Sequence, residues 1–253
     1  MLAIERKNEI LAILQKEQRV LVAELSQKYN VTEETIRRDL EKLEKEGFVK
    51  KTYGGAVLNS NTNLDLPLRI REKTNKKEKQ IIAKIVAELI EEGETIMLDS
   101  SSTSLMVAKN LKQIRKLTVI TNSVEVLIEF AGNKGINVIS TGGMLRESSL
   151  SLVGKTAERT LMNFNVDKAV ISCKGIDLDK GITESNESEA EIKSIMRKCA
   201  KTTILAIDNS KFDNISFIKV GDLNKNDIVI TDKMLQDKWN QYFEEREIKV
   251  IAE

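Results

Sequence analysis

The sequence predicts an α/β main domain with a mostly parallel sheet, preceded by a small winged helix-turn-helix unit. Three observations predict it. Helical apolar spacing fills the first 47 residues and gives way to a short, glycine-centred hairpin pattern. Seven apolar runs then alternate with helical stretches through the rest of the chain. The length, 253 residues, suits two domains, because one usually takes about 100–200.

Ile4, Ile10, Leu11, Ile13 and Leu14 share a face of a first helix, and Val22, Ala23 and Leu25 begin a second. Thr32 is placed to cap a third, whose first turn carries Glu33 and Glu34 at the positive end of the helix dipole. Thr35 rather than Glu follows three residues on, so this is a simple cap and not a capping box. Ile36, Leu40 and Leu43 form the buried stripe, and Gly47 is the stop. Phe48 to Leu58 (FVKKTYGGAVL) reads as two short strands around Gly54-Gly55. Helix, helix, turn, helix, hairpin is a winged helix-turn-helix outline.

Residues 59–75 contain the only proline, Pro67, and read as a linker. Ile81, Ile82, Ile85, Val86, Leu89 and Ile90 then line one face of a helix ended by Gly93. Strands are expected at 95–99, 117–121, 136–141, 168–173, 202–208, 227–231 and 248–252. Unbroken apolar strands separated by helices indicate a sheet covered on both faces. The expected organisation is therefore 1–58, a linker at 59–75, and 76–253.

Composition excludes several function classes. No apolar run exceeds five residues (Ile10–Leu14), against the roughly 20 that span a bilayer. The charged start, MLAIERKNEILAIL, is not a secretory signal. The expected location is the cytoplasm, with no membrane partner. Histidine is absent, which removes Ser-His-Asp and Cys-His catalysis and most zinc sites. No metal and no cofactor are expected. Cys173 and Cys199 lack metal or pairing spacing and read as small buried hydrophobes. Net charge is +1, and residues 1–58 hold 11 basic and 10 acidic side chains, so bulk charge names no partner.

On the third helix, Thr35, Arg38 and Lys42 project away from the apolar stripe and Arg37 lies to one side. A helix seated in a major groove needs such a face, with hydroxyls for phosphates and guanidinium forks for phosphates or guanine edges. A salt-bridged surface fits too, with Arg37 pairing with Glu33 or Glu41.

With T-x-x-T-I-R-R-D-L at 32–40 and Y-G-G-A at 53–56, residues 1–58 resemble the DNA-binding domain of the DeoR family of bacterial transcriptional regulators. Tyr53 departs from the histidine that many members carry there. The resemblance implies contacts to duplex operator DNA from Thr32, Thr35, Arg37, Arg38, Lys50, Lys51, Tyr53 and Gly54. Paired half-sites about one helical turn apart then imply a homo-oligomer, a dimer or tetramer.

The remaining chain resembles the same family's C-terminal sensor domain, which is similar in fold to ribose-5-phosphate isomerase and typically binds a phosphorylated sugar. The matching segments follow successive strands, where α/β sheets place ligands. They are Asp99-Ser100-Ser101-Ser102-Thr103, Thr121-Asn122-Ser123, Thr141-Gly142-Gly143, Lys174-Gly175-Ile176-Asp177 and Asp208-Asn209-Ser210-Lys211-Phe212. The first loop offers N–H groups and hydroxyls at a helix start, a ready anion site. Lys211 can add charge there, and Asn122 or Asp177 can bond sugar hydroxyls. Ordinary loop capping also accounts for each of these taken alone. Ser101 stands where the family's D-x-G-T-T has glycine. Glu184, Glu187, Glu189, Glu191 and Lys193 read either as a solvated helix start or, through E-A-x-x-K at 189–193, as a pocket with Glu189 accepting hydroxyls and Lys193 as its partner.

The expected function is repression of a sugar-utilisation operon under a phosphorylated sugar. An isomerase-like enzyme with an added DNA-binding domain is the alternative. Such isomerases present a D-G-A-D-type loop, whereas Lys174 replaces its first acid here, so no catalytic residue is expected. An architectural DNA protein would have no use for the α/β domain.

Overall fold

The computed structural model describes residues 1–59 and 65–253. The chain divides into two compact units, Met1–Thr74 and Asn75–Glu253.

The N-terminal unit runs α1 (Ala3–Glu17), β1 (Arg19–Leu21), α2 (Val22–Tyr29), α3 (Glu33–Lys45), β2 (Val49–Thr52), β3 (Gly55–Leu58) and α4 (Leu68–Lys73). Ile10, Leu11 and Leu14 of α1 pack with Leu25 of α2 and with Ile36, Leu40 and Leu43 of α3. Each such side chain contributes about 1.5–3 kcal/mol on burial. Thr32 caps α3, its Oγ1 accepting the Thr35 N–H at 3.3 Å. Gly47 ends that helix at φ +80°, a conformation that glycine adopts without steric cost. The small antiparallel sheet has the order β1-β3-β2. β1 was not expected, because three residues are too few to show a period of two. Gly55 makes it possible: a Cβ there would lie 2.0 Å from the Val20 carbonyl oxygen.

The expected linker is corrected in part. Its asparagine-rich stretch, 60–64, lies outside the described residues. Leu66 and Ile70, however, are buried in the N-terminal core. Pro67 does not break structure there; it precedes the first turn of α4, where its missing N–H costs nothing. Arg71 Nε donates to the Leu66 carbonyl at 3.0 Å and holds the turn.

The C-terminal unit runs α5 (Lys76–Glu88), β4 (Thr95–Leu98), α6 (Ser102–Leu111), β5 (Leu117–Thr121), α7 (Val124–Phe130), β6 (Ile136–Ser140), β7 (Met144–Arg146), β8 (Ser151–Val153) and α8 (Lys155–Met162). It continues with β9 (Val166–Ile171), β10 (Gly175–Asp177), β11 (Gly181–Glu184), α9 (Glu187–Cys199), β12 (Ala200–Ala206), β13 (Ile218–Gly221), β14 (Asp227–Thr231), α10 (Asp237–Glu245) and β15 (Lys249–Ala252).

All seven expected strands fall in one sheet of order β15-β14-β12-β9-β4-β5-β6, and every neighbouring pair is parallel. Both faces are covered. Met97, Ala169, Ile171 and Leu205 pack with Leu161, Ile192, Met196 and Trp239 on one side. Ile96, Leu98, Val170 and Ile204 pack with Ile82, Val86, Val107 and Phe130 on the other. The hairpin β7–β8 and the sheet β10-β11-β13 stand apart as small antiparallel pieces. From β4 the chain builds outward through β5 and β6, then returns to β9 on the opposite side of β4. The ends of β4 and β9 therefore flank a topological switch point, where open α/β sheets form a crevice.

Candidate functional site

Two sites emerge. In the N-terminal unit, Thr32, Arg37 and Arg38 are exposed on α3, and Thr35 is half-buried beside Thr32. Arg37 Nη2 pairs with Glu33 at 2.6 Å and Arg38 Nε with Glu34 at 3.1 Å, each one turn back. Both pairs are solvent-exposed, so each contributes only a few tenths of a kcal/mol, about 0.3–0.5. The guanidinium groups can exchange those partners for phosphates or base edges at little cost. Lys51 ties the wing to the helix: its N–H donates to Glu44 Oε1 at 2.8 Å and its Nζ reaches Glu41 at 3.2 Å. Lys50, Tyr53 and Gly54 are exposed at the wing.

In the C-terminal unit the cluster starts at the switch point. Asp99 Oδ1 accepts the Ser101 N–H at 3.0 Å and the Ser104 hydroxyl at 2.6 Å. Its Oδ2 accepts the Ser172 N–H from the end of β9 at 2.9 Å. Ser101 is the N-cap of α6 in an extended conformation, φ −74°, and accepts the Ser104 N–H at 3.0 Å. Serine is thus unstrained where the family motif has glycine. The N–H groups of Ser102 and Thr103 precede the first intrahelical bond, which Leu105 makes to Ser101, and stand at the positive end of the helix.

Glu189 is buried and bonded to the protein: it accepts the Ser100 hydroxyl at 2.9 Å, the Ser149 hydroxyl at 2.7 Å and the Ser151 hydroxyl. Lys193 is not its direct partner. Lys193 Nζ pairs with Glu184, donates to the Ser172 carbonyl at 2.8 Å and stands 3.4 Å from Asp99 Oδ2. Burial pushes the Lys193 pKa down, but Glu184, Asp99 and Glu189 outweigh it and raise it. Burial likewise pushes Glu184 up, but Lys193 and then Lys174 hold it below the ordinary carboxylate range. Burial drives the Cys173 thiol up to about 12, in the field of Lys193, Glu184, Lys211 and Asp208. That thiol is inert, and Lys211 is among the charges that act on it.

Asn122 is buried; its Nδ2 donates to the Leu152 carbonyl at 3.2 Å, while its Oδ1 has no partner. The pairing of Leu98 with Thr121 places Asn122 beside Asp99. Thr121 spends its hydroxyl on the Leu98 carbonyl at 2.7 Å. Gly142 and Gly143 shape the exit of β6, and a Cβ on Gly143 would lie 2.6 Å from the Val153 carbonyl oxygen. Asp177 is not brought into the cluster. Its Oδ1 caps the β10–β11 turn, accepting the Asp179 and Lys180 N–H groups at 3.0 Å. Ser149 and Ser151, in the hairpin that follows Gly143, carried no sequence signal.

Residues 6–62 match the model of the DeoR-like helix-turn-helix domain, and residues 74–233 match that of the DeoR C-terminal sensor domain. The chain belongs to the DeoR family. It is similar to the uncharacterized HTH-type transcriptional regulator YulB of Bacillus subtilis, at 42% identity over 100% of this chain and 97% of the relative. The HTH-type transcriptional regulator GolR of Listeria innocua is 35% identical over 100% of both. Ribose 5-phosphate isomerase A of Methanocaldococcus jannaschii resembles it at 16% identity over 55% of each chain, with a TM-score of 0.41. As a DeoR-family member the chain is a DNA-binding transcriptional regulator, not an enzyme, whose C-terminal domain senses a small-molecule effector. Among the described residues, no helix is long and apolar enough to cross a membrane.

Proposed function

We propose that this DeoR-family regulator is a cytoplasmic repressor of a sugar-utilisation operon, working as a homo-oligomer on paired operator half-sites. A phosphorylated sugar is the effector. The observation that carries this reading is the buried, unpartnered Oδ1 of Asn122 beside the start of α6. An unpaired buried acceptor costs about 1–3 kcal/mol, and a sugar hydroxyl would relieve it. The phosphate would take the Ser102 and Thr103 N–H groups with charge from Lys211 and Lys174, since charge-assisted bonds are the strong ones.

Regulation follows if the effector binds the operator-competent and operator-incompetent states unequally. Repression is favoured by likeness to the putative aga operon transcriptional repressor of Escherichia coli O157:H7, at 33% identity over 90% of this chain. The L-fucose operon activator of Haemophilus influenzae, 34% identical over 97% of the chain, makes activation the second reading.

The test is calorimetry with a panel of sugar phosphates and their free sugars, followed by operator binding with and without any hit. The phosphorylated form should bind, and Lys211→Ala should abolish that binding. Equal affinity for a free sugar and its phosphate would refute the phosphate assignment.

A further inference from the structure

Asn75 opens the C-terminal unit and is the N-cap of α5. An asparagine there ordinarily sits extended and gives its Oδ1 to an N–H of the first turn. Asn75 does neither: it adopts φ 48° and ψ 43° and makes no cap bond. Its Nδ2 donates instead to Asp208 Oδ1 at 2.9 Å and to Ser210 Oγ at 3.1 Å. The residue has left its usual task for a loop at the far end of the sequence.

Asp208 follows β12 and is buried. It also accepts the Ser210 N–H at 3.2 Å. Burial pushes its pKa up, but Lys211, Ser210, Lys79 and Asn75 together hold it below the ordinary range. Lys79 lies one turn beyond Asn75 on the same helix and is buried. One carboxylate therefore joins the first turn of α5 to the loop carrying Lys211.

We propose that Asn75 is a positioning residue whose bond to Asp208 fixes the start of α5 in the operator-binding state. An anion that draws Lys211 away from Asp208 loosens that hold. This second clause rests on the effector reading above; the first does not.

Asn75→Gly tests the bond cleanly, because glycine keeps the left-handed backbone and loses only the amide. In the full chain, affinity for a duplex selected by the wild-type protein from a random library should fall by about 5- to 150-fold. Hydrogen exchange should quicken at the start of α5 and stay unchanged in β4 and β9. Asn75→Asp alone, with two carboxylates facing, should also bind poorly. Asn75→Gly within about twofold of wild type overturns the proposal. None of these measurements uses an effector, so absence of binding by every sugar phosphate in the panel would count against the effector reading alone.

Discussion

Asp39 of α3 accepts the Arg6 guanidinium of α1 at 2.6 Å, and both side chains are buried. Asp39 directly follows Arg38 in α3, the helix expected to read DNA, yet faces the core. The pair fixes the pose from which Thr35, Arg37 and Arg38 are presented. Breaking a buried pair from one side costs about 3–5 kcal/mol, because the remaining charge stays buried and uncompensated. Asp39→Ala should lower the stability of the N-terminal unit by that amount in chemical denaturation. Arg6→Met in the same chain should recover most of the loss. A single variant as stable as wild type would show that Arg6 finds water instead.

The outer face should behave in the opposite way. Arg37→Ala with Arg38→Ala removes two exposed pairs, so stability should change by less than about 1 kcal/mol. Operator affinity should collapse. Arg38→Ala alone should cost about 1–3 kcal/mol and relax base preference at one position if it reads a base edge. If it touches only phosphate, affinity should fall on all sequences and the salt slope should shrink by about one. Competition titrations at several salt concentrations separate the two, and unchanged operator affinity in the double variant would remove α3 from the interface.

The seven sheet strands were legible because both faces are buried, which writes each as an apolar run. β1, β7, β8, β10, β11 and β13 are three or four residues long, too short for periodicity to register. Asp99, Asn122 and Lys211 were legible because each follows a strand. The serines that hold Glu189 were not, since Ser149 and Ser151 stand 40 and 38 residues from it in sequence. Asp177 misled for a related reason: it comes soon after a sheet strand in sequence, but it ends β10 and caps the β10–β11 turn.

Ser101 offers a test of local energetics. Its side chain accepts the Ser104 N–H at 3.0 Å as the cap of α6, and its φ of −74° needs no glycine. Ser101→Gly, which restores the family's usual residue, should cost only a few tenths of a kcal/mol, because glycine is itself a tolerated cap. Ser101→Ala should cost about 1 kcal/mol. Thermal unfolding of the two variants measures this. A gain in stability from the glycine would mean that the serine strains the loop.

Lys193 sets the pH response of Glu184 in the sensor domain. Glu184 titrates below its ordinary value of 4.5 in the folded chain. Its stabilising contribution is therefore present above that pH and lost as pH falls through the lowered value. Lys193 titrates above its ordinary 10.5, so its contribution is full below that pH and lost only in stronger alkali. The pair thus gives a plateau of stability between those two limits. Lys193→Met keeps the length of the side chain but leaves Glu184 and Asp99 buried without their cation. Such a loss costs about 3–5 kcal/mol, and burial should now raise the Glu184 pKa above its unfolded value. The sign of the pH dependence then reverses: the variant should be more stable at pH 5 than at pH 8, because protonating the carboxyl relieves the unpaired charge. Urea midpoints at the two pH values decide it. A variant with equal midpoints, or a lower one at pH 5, would show that water or Lys174 takes the place of Lys193.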